Sequence, residues 1–307
     1  AAADFAVSDY CSIFAQQSQK NRENIVSDFK TYSLNLRGRL LEIDHPLVMG
    51  ILNVTPDSFY GGSRCPDTLH IEARVRQMID EGADIIDIGA YSTRPGAAEV
   101  SEAEELARLE KGMAVVRRLA PDAVVSVDTF RASVARSCVE QLGVDIVNDV
   151  AGGTLDDQMF KTVASLGVPY IVMHMRGTPA TMQQLTDYTD VTADVLTYLA
   201  RKVDELHQLG VADVIADPGF GFSKTVEQNY ELMHGLEAFH ALNVPLLVGI
   251  SRKSMIFRLL GVTPADSLNG TTVLNTMALL RGAHILRVHD VRPAVEARAI
   301  VAADAQR

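Results

Sequence analysis

From Leu47 onward the chain repeats one unit eight times: a short apolar run, a cluster of Gly, Pro, Asp or Asn, then an amphipathic stretch. The apolar runs cover 47–53, 83–89, 123–128, 144–149, 168–174, 213–217, 244–250 and 284–289. They are rich in Val and Ile and nearly continuous in hydrophobicity, as strands buried on both faces should be. The stretches between them have helical periodicity. In 71–82, Ile71, Val75, Met78 and Ile79 fall on one face and Gly82 can close the helix. Further helices are expected over about 101–119, 131–142, 156–166, 189–209, 226–241, 264–281 and 292–303, four of them closed by Gly143, Gly167, Gly210 and Gly282. Eight strand–helix alternations in about 260 residues match an α/β fold of the (β/α)8 TIM-barrel type. A doubly wound open sheet fits less well, because no GxGxxG follows the first strand. Residues 31–43 alternate around Arg37-Gly38 and read as a hairpin that caps the bottom of the barrel. The expected organisation is a polar N-terminal extension or remnant over 1–28 and a single barrel domain, with its hairpin, over 29–307.

The charge balance narrows the partners. With 28 Lys and Arg against 39 Asp and Glu, the net charge is -11, which argues against nucleic acid and anionic membrane surfaces. A small anionic substrate stays open, provided the few cations are gathered in one place. No apolar run approaches the roughly 18 residues of a membrane span. The N-terminus has no basic segment followed by an apolar one, so it does not read as a secretory signal. Cys11, Cys65 and Cys138 are odd in number and lack CxxC spacing, which points to a reduced, cytoplasmic protein.

In a barrel of this type the chemistry lies at the C-terminal ends of the strands. Those positions are polar here: Asn53, Asp87, Asp128, Asn148 and Asp149, His174, Asp217, the SRKS segment 251–254, and Arg287 with His289. Any one of them reads equally well as an ordinary cap or turn residue. All of them together do not, because an unpartnered buried polar group costs on the order of 1–3 kcal/mol and a charge costs more. A shared polar ligand accounts for the set. Asp128, Asn148 and Asp217 suit a heterocycle with adjacent NH, NH2 and C=O groups. Lys253 can meet a ring oxygen or nitrogen, and Arg287, His289 and Arg94 are available for an anion. The loops 53–64 and 90–100 are long for this fold and contain Gly and Pro where a lid would hinge.

At these residues the sequence resembles the dihydropteroate synthase family. MGILNVTPDSF (49–59) and GADIIDIGAYSTRPGA (82–97) match its two signature segments. SVDT (126–129), VND (147–149), MHMRGTP (173–179), DPGFGF (217–222), GISRKS (249–254) and RVHD (287–290) follow in the family's order. The resemblance implies a transferase of folate synthesis that condenses 6-hydroxymethyl-7,8-dihydropterin diphosphate with p-aminobenzoate. It further implies Mg2+ as cofactor, a cytoplasmic homodimer and competitive inhibition by sulfonamides.

Residue by residue, the resemblance assigns Asp128, Asn148, Met173, Asp217 and Lys253 to the pterin. It assigns Asn53, Thr93, Arg94, Arg287 and His289 to the diphosphate, with Asn53 as the metal contact. Phe59, Pro95, Phe222, Lys253 and Ser254 fall to p-aminobenzoate, and Asn53, Lys253, Arg287 and His289 to catalysis. The mechanism implied is SN1-like. Two positions depart from the family pattern: Gly61 stands where an Asp is common, and Tyr91 where a Glu is common. Two other readings are a barrel that transfers a methyl group from a folate and a catalytically silent pterin-binding paralogue. The first needs no STRP, SRKS or RVHD set, and the second would be expected to lose Lys253, Arg287 or His289.

Overall fold

A computed structural model describes residues 29–55, 66–91 and 100–305. The chain enters through an antiparallel hairpin, β1 (Tyr32–Leu36) and β2 (Arg39–Ile43). Its two turn residues, Arg37 and Gly38, both have positive φ (54° and 93°), the backbone shape that matches the twist of a tight hairpin.

The barrel follows as β3 (Leu47–Asn53), α1 (Pro66–Asp80), β4 (Ile85–Gly89), α2 (Glu102–Leu119), β5 (Val124–Asp128), α3 (Ala132–Gln141), β6 (Ile146–Asp149), α4 (Met159–Leu166) and β7 (Tyr170–Met173). It continues with α5 (Val191–Gln208), β8 (Val214–Asp217), α6 (Val226–His234), β9 (Leu247–Val248), α7 (Ser254–Leu260), α8 (Leu268–Leu280), β10 (Ile285–Val288) and α9 (Val291–Ala305). The eight strands β3 to β10 pair in parallel in the order β8-β7-β6-β5-β4-β3-β10-β9. A bridge between Ala216 and Leu246 joins the two ends, and the Ala216 N–H donates to the Pro245 carbonyl at 2.9 Å. The eight expected strands are all present.

Side chains alternate with a period of two along each strand, so each strand serves two cores. One set, including Val48, Ile86, Val125 and Val147, packs outward against the helices. The other points into the barrel. Its lowest full ring takes one residue from each strand: Met49, Ile85, Val124, Ile146, Ile171, Ile215, Leu247 and Ile285. Leu34, Leu36 and Ile43 of the hairpin pack beneath this ring and close the bottom. Each large apolar side chain buried here contributes about 1.5–3 kcal/mol. Two residues further up every strand the same inward face is reached again, and the ring changes character: Ile51, Asp87, Ser126, Asn148, Met173, Asp217, Gly249 and Arg287. The apolar plug thus lies directly below a polar floor.

Two helices differ from the sequence pattern. The stretch expected as one helix over 264–281 is preceded by a separate short helix, α7, which starts at Ser254 and ends where Gly261 turns left-handed (φ 65°). Seven residues are too few for a helical period to stand out from a loop. The helix expected over 226–241 breaks at Gly235 into α6 and a tighter 3-10 segment, Leu236–Leu242. The glycines expected to close helices, Gly82, Gly143, Gly167, Gly210 and Gly282, all have positive φ. Among the described residues no helix is long and apolar enough to cross a membrane.

Candidate active site

The polar floor is knitted across the barrel by one guanidinium. Arg287, from β10, donates from Nε to Asp87 Oδ2 at 2.7 Å and from Nη2 to Asp128 Oδ2 at 2.6 Å. Asn148 Nδ2 donates to the same Asp87 oxygen at 3.2 Å. Asp87, which the sequence showed on its strand but to which the resemblance gave no role, is fully buried and organises the other three. Its signal was a carboxylate inside an otherwise apolar strand. Asp87 Oδ1 and the neighbouring Ser126 Oγ have no hydrogen-bond partner among the described residues, and Arg287 Nη1 bonds none of them.

Asp217 completes the floor from β8. One of its oxygens, Oδ1, accepts the Gly219 N–H at 2.8 Å. Lys253 enters from the residue preceding α7: its Nζ donates to the Phe220 carbonyl at 2.6 Å and sits 4.6 Å from the centre of the Phe222 ring. Gly221 (φ 81°) makes room for this stem, since a Cβ there would lie 3.0 Å from Lys253 Cδ. Met173, almost fully buried, shares a small apolar cluster with Val150, Ala151, Met175 and Met182, against which Phe222 packs.

Three carboxylates, Asp87, Asp128 and Asp217, therefore face two cations, Arg287 and Lys253. Burial pushes Asp128 up to about 7; Arg287 opposes the shift and Asp87 reinforces it. Burial also raises Asp217, against the pull of Lys253. Lys253 is pushed down to about 8 by burial, with Asp217 holding it back. Arg287 loses solvation too, but Asp87 and Asp128 more than offset that and raise its pKa. An excess of acceptors over donors, buried and already half-satisfied, suits a flat heterocycle that brings several N–H groups.

At the rim above, His289 shares its Nδ1 with Ser251 Oγ at 3.1 Å, and its N–H donates to the same oxygen. Burial, reinforced by the Arg287 charge, pushes His289 down to about 4. It is thus a neutral hydrogen-bonding group at neutral pH, which removes it from the cations that the sequence gathered at this mouth. Arg252 next to it forms a two-pronged ion pair with Asp290 at 2.8 and 2.9 Å. Asn53 is half-buried at the end of β3. Ser254 opens α7.

Two of the strand-end groups turn away from the mouth. Asp149 is one residue beyond Asn148 and hence on the opposite face, where it accepts from the Tyr170 hydroxyl at 2.7 Å and from the Ala151 and Gly153 N–H groups. His174 is buried and bonded to Lys224. The shared ligand expected for the whole set is therefore needed for fewer residues. The structure supplies one support that the sequence did not disclose. Glu105, fully buried on α2, accepts from Thr129 Oγ1 at 2.7 Å and pairs with Arg131, which holds the Val100 carbonyl at 2.8 Å. This fixes the segment just beyond Asp128. Phe59, Thr93, Arg94, Pro95 and Gly61 lie outside the described residues.

A closed parallel barrel whose mouth presents Asp128, Asn148 and Asp217 beside Lys253 and Arg287 defines a pterin-binding barrel enzyme. The family model described as "Pterin binding enzyme" matches residues 49–289. The dihydropteroate synthase of Escherichia coli (strain K12) is 44% identical over 271 residues, covering 87% of this chain and 94% of that protein. The solved dihydropteroate synthase of Xanthomonas albilineans with 4-aminobenzoic acid superposes with a TM-score of 0.83 at 36% identity, covering 90% of this chain and 98% of that one. That of Yersinia pestis, in a sulfonamide drug complex, gives 0.81 at 40% identity, with 90% and 100% covered. The chain belongs to the dihydropteroate synthase family.

Proposed function

We propose that the barrel mouth condenses 6-hydroxymethyl-7,8-dihydropterin diphosphate with p-aminobenzoate, giving 7,8-dihydropteroate and pyrophosphate. The observation that carries this reading is the convergence of Asp128, Asn148, Asp217, Lys253 and Arg287 on one floor. Carboxylates and an amide accept from and donate to the pterin edge, while Lys253 meets its ring oxygen or nitrogen. The methylene C–O bond breaks with its electron pair leaving on the diphosphate. Positive charge then spreads into a pterin ring lying against Asp128 and Asp217, which favours that state electrostatically. The p-aminobenzoate nitrogen attacks the methylene carbon, the C–N bond forms, and the amine proton passes to water or to the departing pyrophosphate. Phe222 and Ser254 border the place for the aromatic amine, with Phe59 and Pro95 assigned to its walls. The same pocket would accept sulfonamides, consistent with the drug complex of the Yersinia pestis relative.

Arg287 has Nη1 to spare for the diphosphate, and His289 offers a neutral donor beside it; Thr93 and Arg94 are assigned to the same anion. Asn53 makes no side-chain hydrogen bond to the described residues and offers a neutral oxygen. Among them no group of three His, Cys, Asp or Glu side chains could hold a metal. Such a donor set fits Mg2+, which keeps most of its waters and binds through substrate phosphates and few protein oxygens. Held by Asn53, Mg2+ would supply positive charge beside the leaving group.

A homodimer in the cytoplasm completes the reading. Support for the dimer comes from the neighbouring helices α7, α8 and α9, which leave Leu259, Leu260, Val273 and Ile300 more than half exposed. The deciding experiment is pyrophosphate release. It should require the pterin diphosphate, p-aminobenzoate and Mg2+ together; release without p-aminobenzoate, or none at all, would overturn the assignment.

A further inference from the structure

Behind the pterin floor lies a buried cation that the reaction does not use directly. Lys224 is 3% exposed and donates to three acceptors: His174 Nδ1 at 3.1 Å, the Gly219 carbonyl at 2.9 Å and the Phe222 carbonyl at 3.0 Å. Three bonds match the three N–H groups of an ammonium. Among the described residues no carboxylate bonds it. Burial lowers its pKa strongly, and the Asp217 charge opposes that shift. Burial disfavours the ammonium form, so the three hydrogen bonds are what hold it, and an apolar side chain of the same length would serve packing better.

Two of the three acceptors lie in the loop that leaves β8. Gly219 and Phe222 belong to it, and His174 belongs to the adjacent loop after β7. The two loops touch elsewhere too. A Cβ on Gly219 would lie 2.1 Å from the His174 carbonyl oxygen, and Ser223 Oγ accepts from the Arg176 N–H and donates to the Arg176 carbonyl, both at 2.9 Å. Ser223 adopts φ 52° to do so, a left-handed conformation that a non-glycine residue keeps only when its surroundings enforce it. Along the same loop lie Asp217, the Phe220 carbonyl that receives Lys253, and the Phe222 ring beside the Lys253 amine.

We propose that Lys224 is a positioning residue: by tying His174 to the Gly219 and Phe222 carbonyls, it holds the loop after β8 so that Asp217, the Phe220 carbonyl and Phe222 face Lys253 together. The inference rests on the reading of this mouth as the pterin and p-aminobenzoate site. It extends that reading to a residue that touches neither substrate.

The test uses steady-state kinetics of the full chain with each substrate varied in turn, alongside thermal melting. Lys224→Met keeps the length and removes all three donors. It should raise the KM for the pterin diphosphate and for p-aminobenzoate by about 10-fold or more, whatever its melting temperature. His174→Leu removes one acceptor without touching Lys224 and should shift both KM values the same way. His174→Gln retains a side-chain acceptor and should return them toward wild type. If Lys224→Met does not fold, the two His174 variants decide. Wild-type KM values in Lys224→Met, or in His174→Leu, with only a lowered melting temperature, would overturn the positioning role. Failure of the wild-type protein itself to release pyrophosphate would instead overturn the proposed function.

Discussion

Replacing Asp128 by Asn should make the protein more stable and less active at once. The Asp128 side chain is 16% exposed. Burial beside Asp87 moves its pKa from 3.8 to about 7, with Arg287 offsetting only part of the shift. A folded-state pKa above the unfolded value means that the folded protein binds the proton more tightly. The stability this group contributes is therefore full below about pH 4 and is lost as the pH rises through about 7. Some three pH units at about 1.36 kcal/mol each amount to about 4 kcal/mol of stability forgone at pH 8. Asn has the same shape, stays neutral and leaves Arg287 its bond to Asp87, so it removes most of that term. Residual solvent at the mouth makes 4 kcal/mol an upper bound. At about 2–4 °C per kcal/mol for a domain of this size, the variant should melt up to about 8–16 °C higher at pH 8. Loss of a charge-assisted bond of about 1.5–3 kcal/mol to the pterin should lower kcat/KM about 10- to 100-fold. The assay is thermal melting of both proteins from about pH 4 to about pH 8, with pyrophosphate release followed in parallel. The melting difference should shrink toward zero at the acid end. A variant less stable than wild type at pH 8, or a difference independent of pH, would refute the reasoning.

The kcat/KM for the pterin substrate should fall as the pH rises through about 8, where Lys253 loses its charge; Lys253→Arg should move that fall upward while lowering the plateau, and an unchanged alkaline limb would exclude Lys253 as its source. Gly219→Ala should destabilise by about 3 kcal/mol or more in urea titration, because its φ of 71° is strained for Ala and the new methyl would meet the His174 carbonyl at 2.1 Å. Ile300→Glu, on the exposed apolar face, should yield monomers in sedimentation velocity where the wild type is expected to sediment as the proposed dimer; a dimer persisting in the variant would place the interface elsewhere.

Much of this architecture is legible in the sequence, because strand burial and helix periodicity are local properties. The eight strands emerge as apolar runs, and the mouth residues emerge as polar groups at their ends. Even the hairpin plug is announced by Arg37-Gly38 between alternating residues. The short helix α7 was not legible, since seven residues carry too little period. Glu105 and Lys224 look like ordinary charges on helical or loop segments until the fold buries them.

The barrel, the family and the polar residues at the strand ends were legible in the sequence alone, since spacing along the chain sets which side chains share a strand face. Which of those residues act together was decided only in three dimensions. Asn148 and Asp149 are neighbours in the chain, yet one joins the floor and the other braces a turn behind it. Arg287 and Asp87 are 200 residues apart and meet at 2.7 Å. His289 counts as a potential cation on paper and is neutral in its buried place. The physical reason is common to all three: desolvation and hydrogen-bond geometry depend on what barrel closure brings within a few ångströms, and the order of residues along one strand does not contain that.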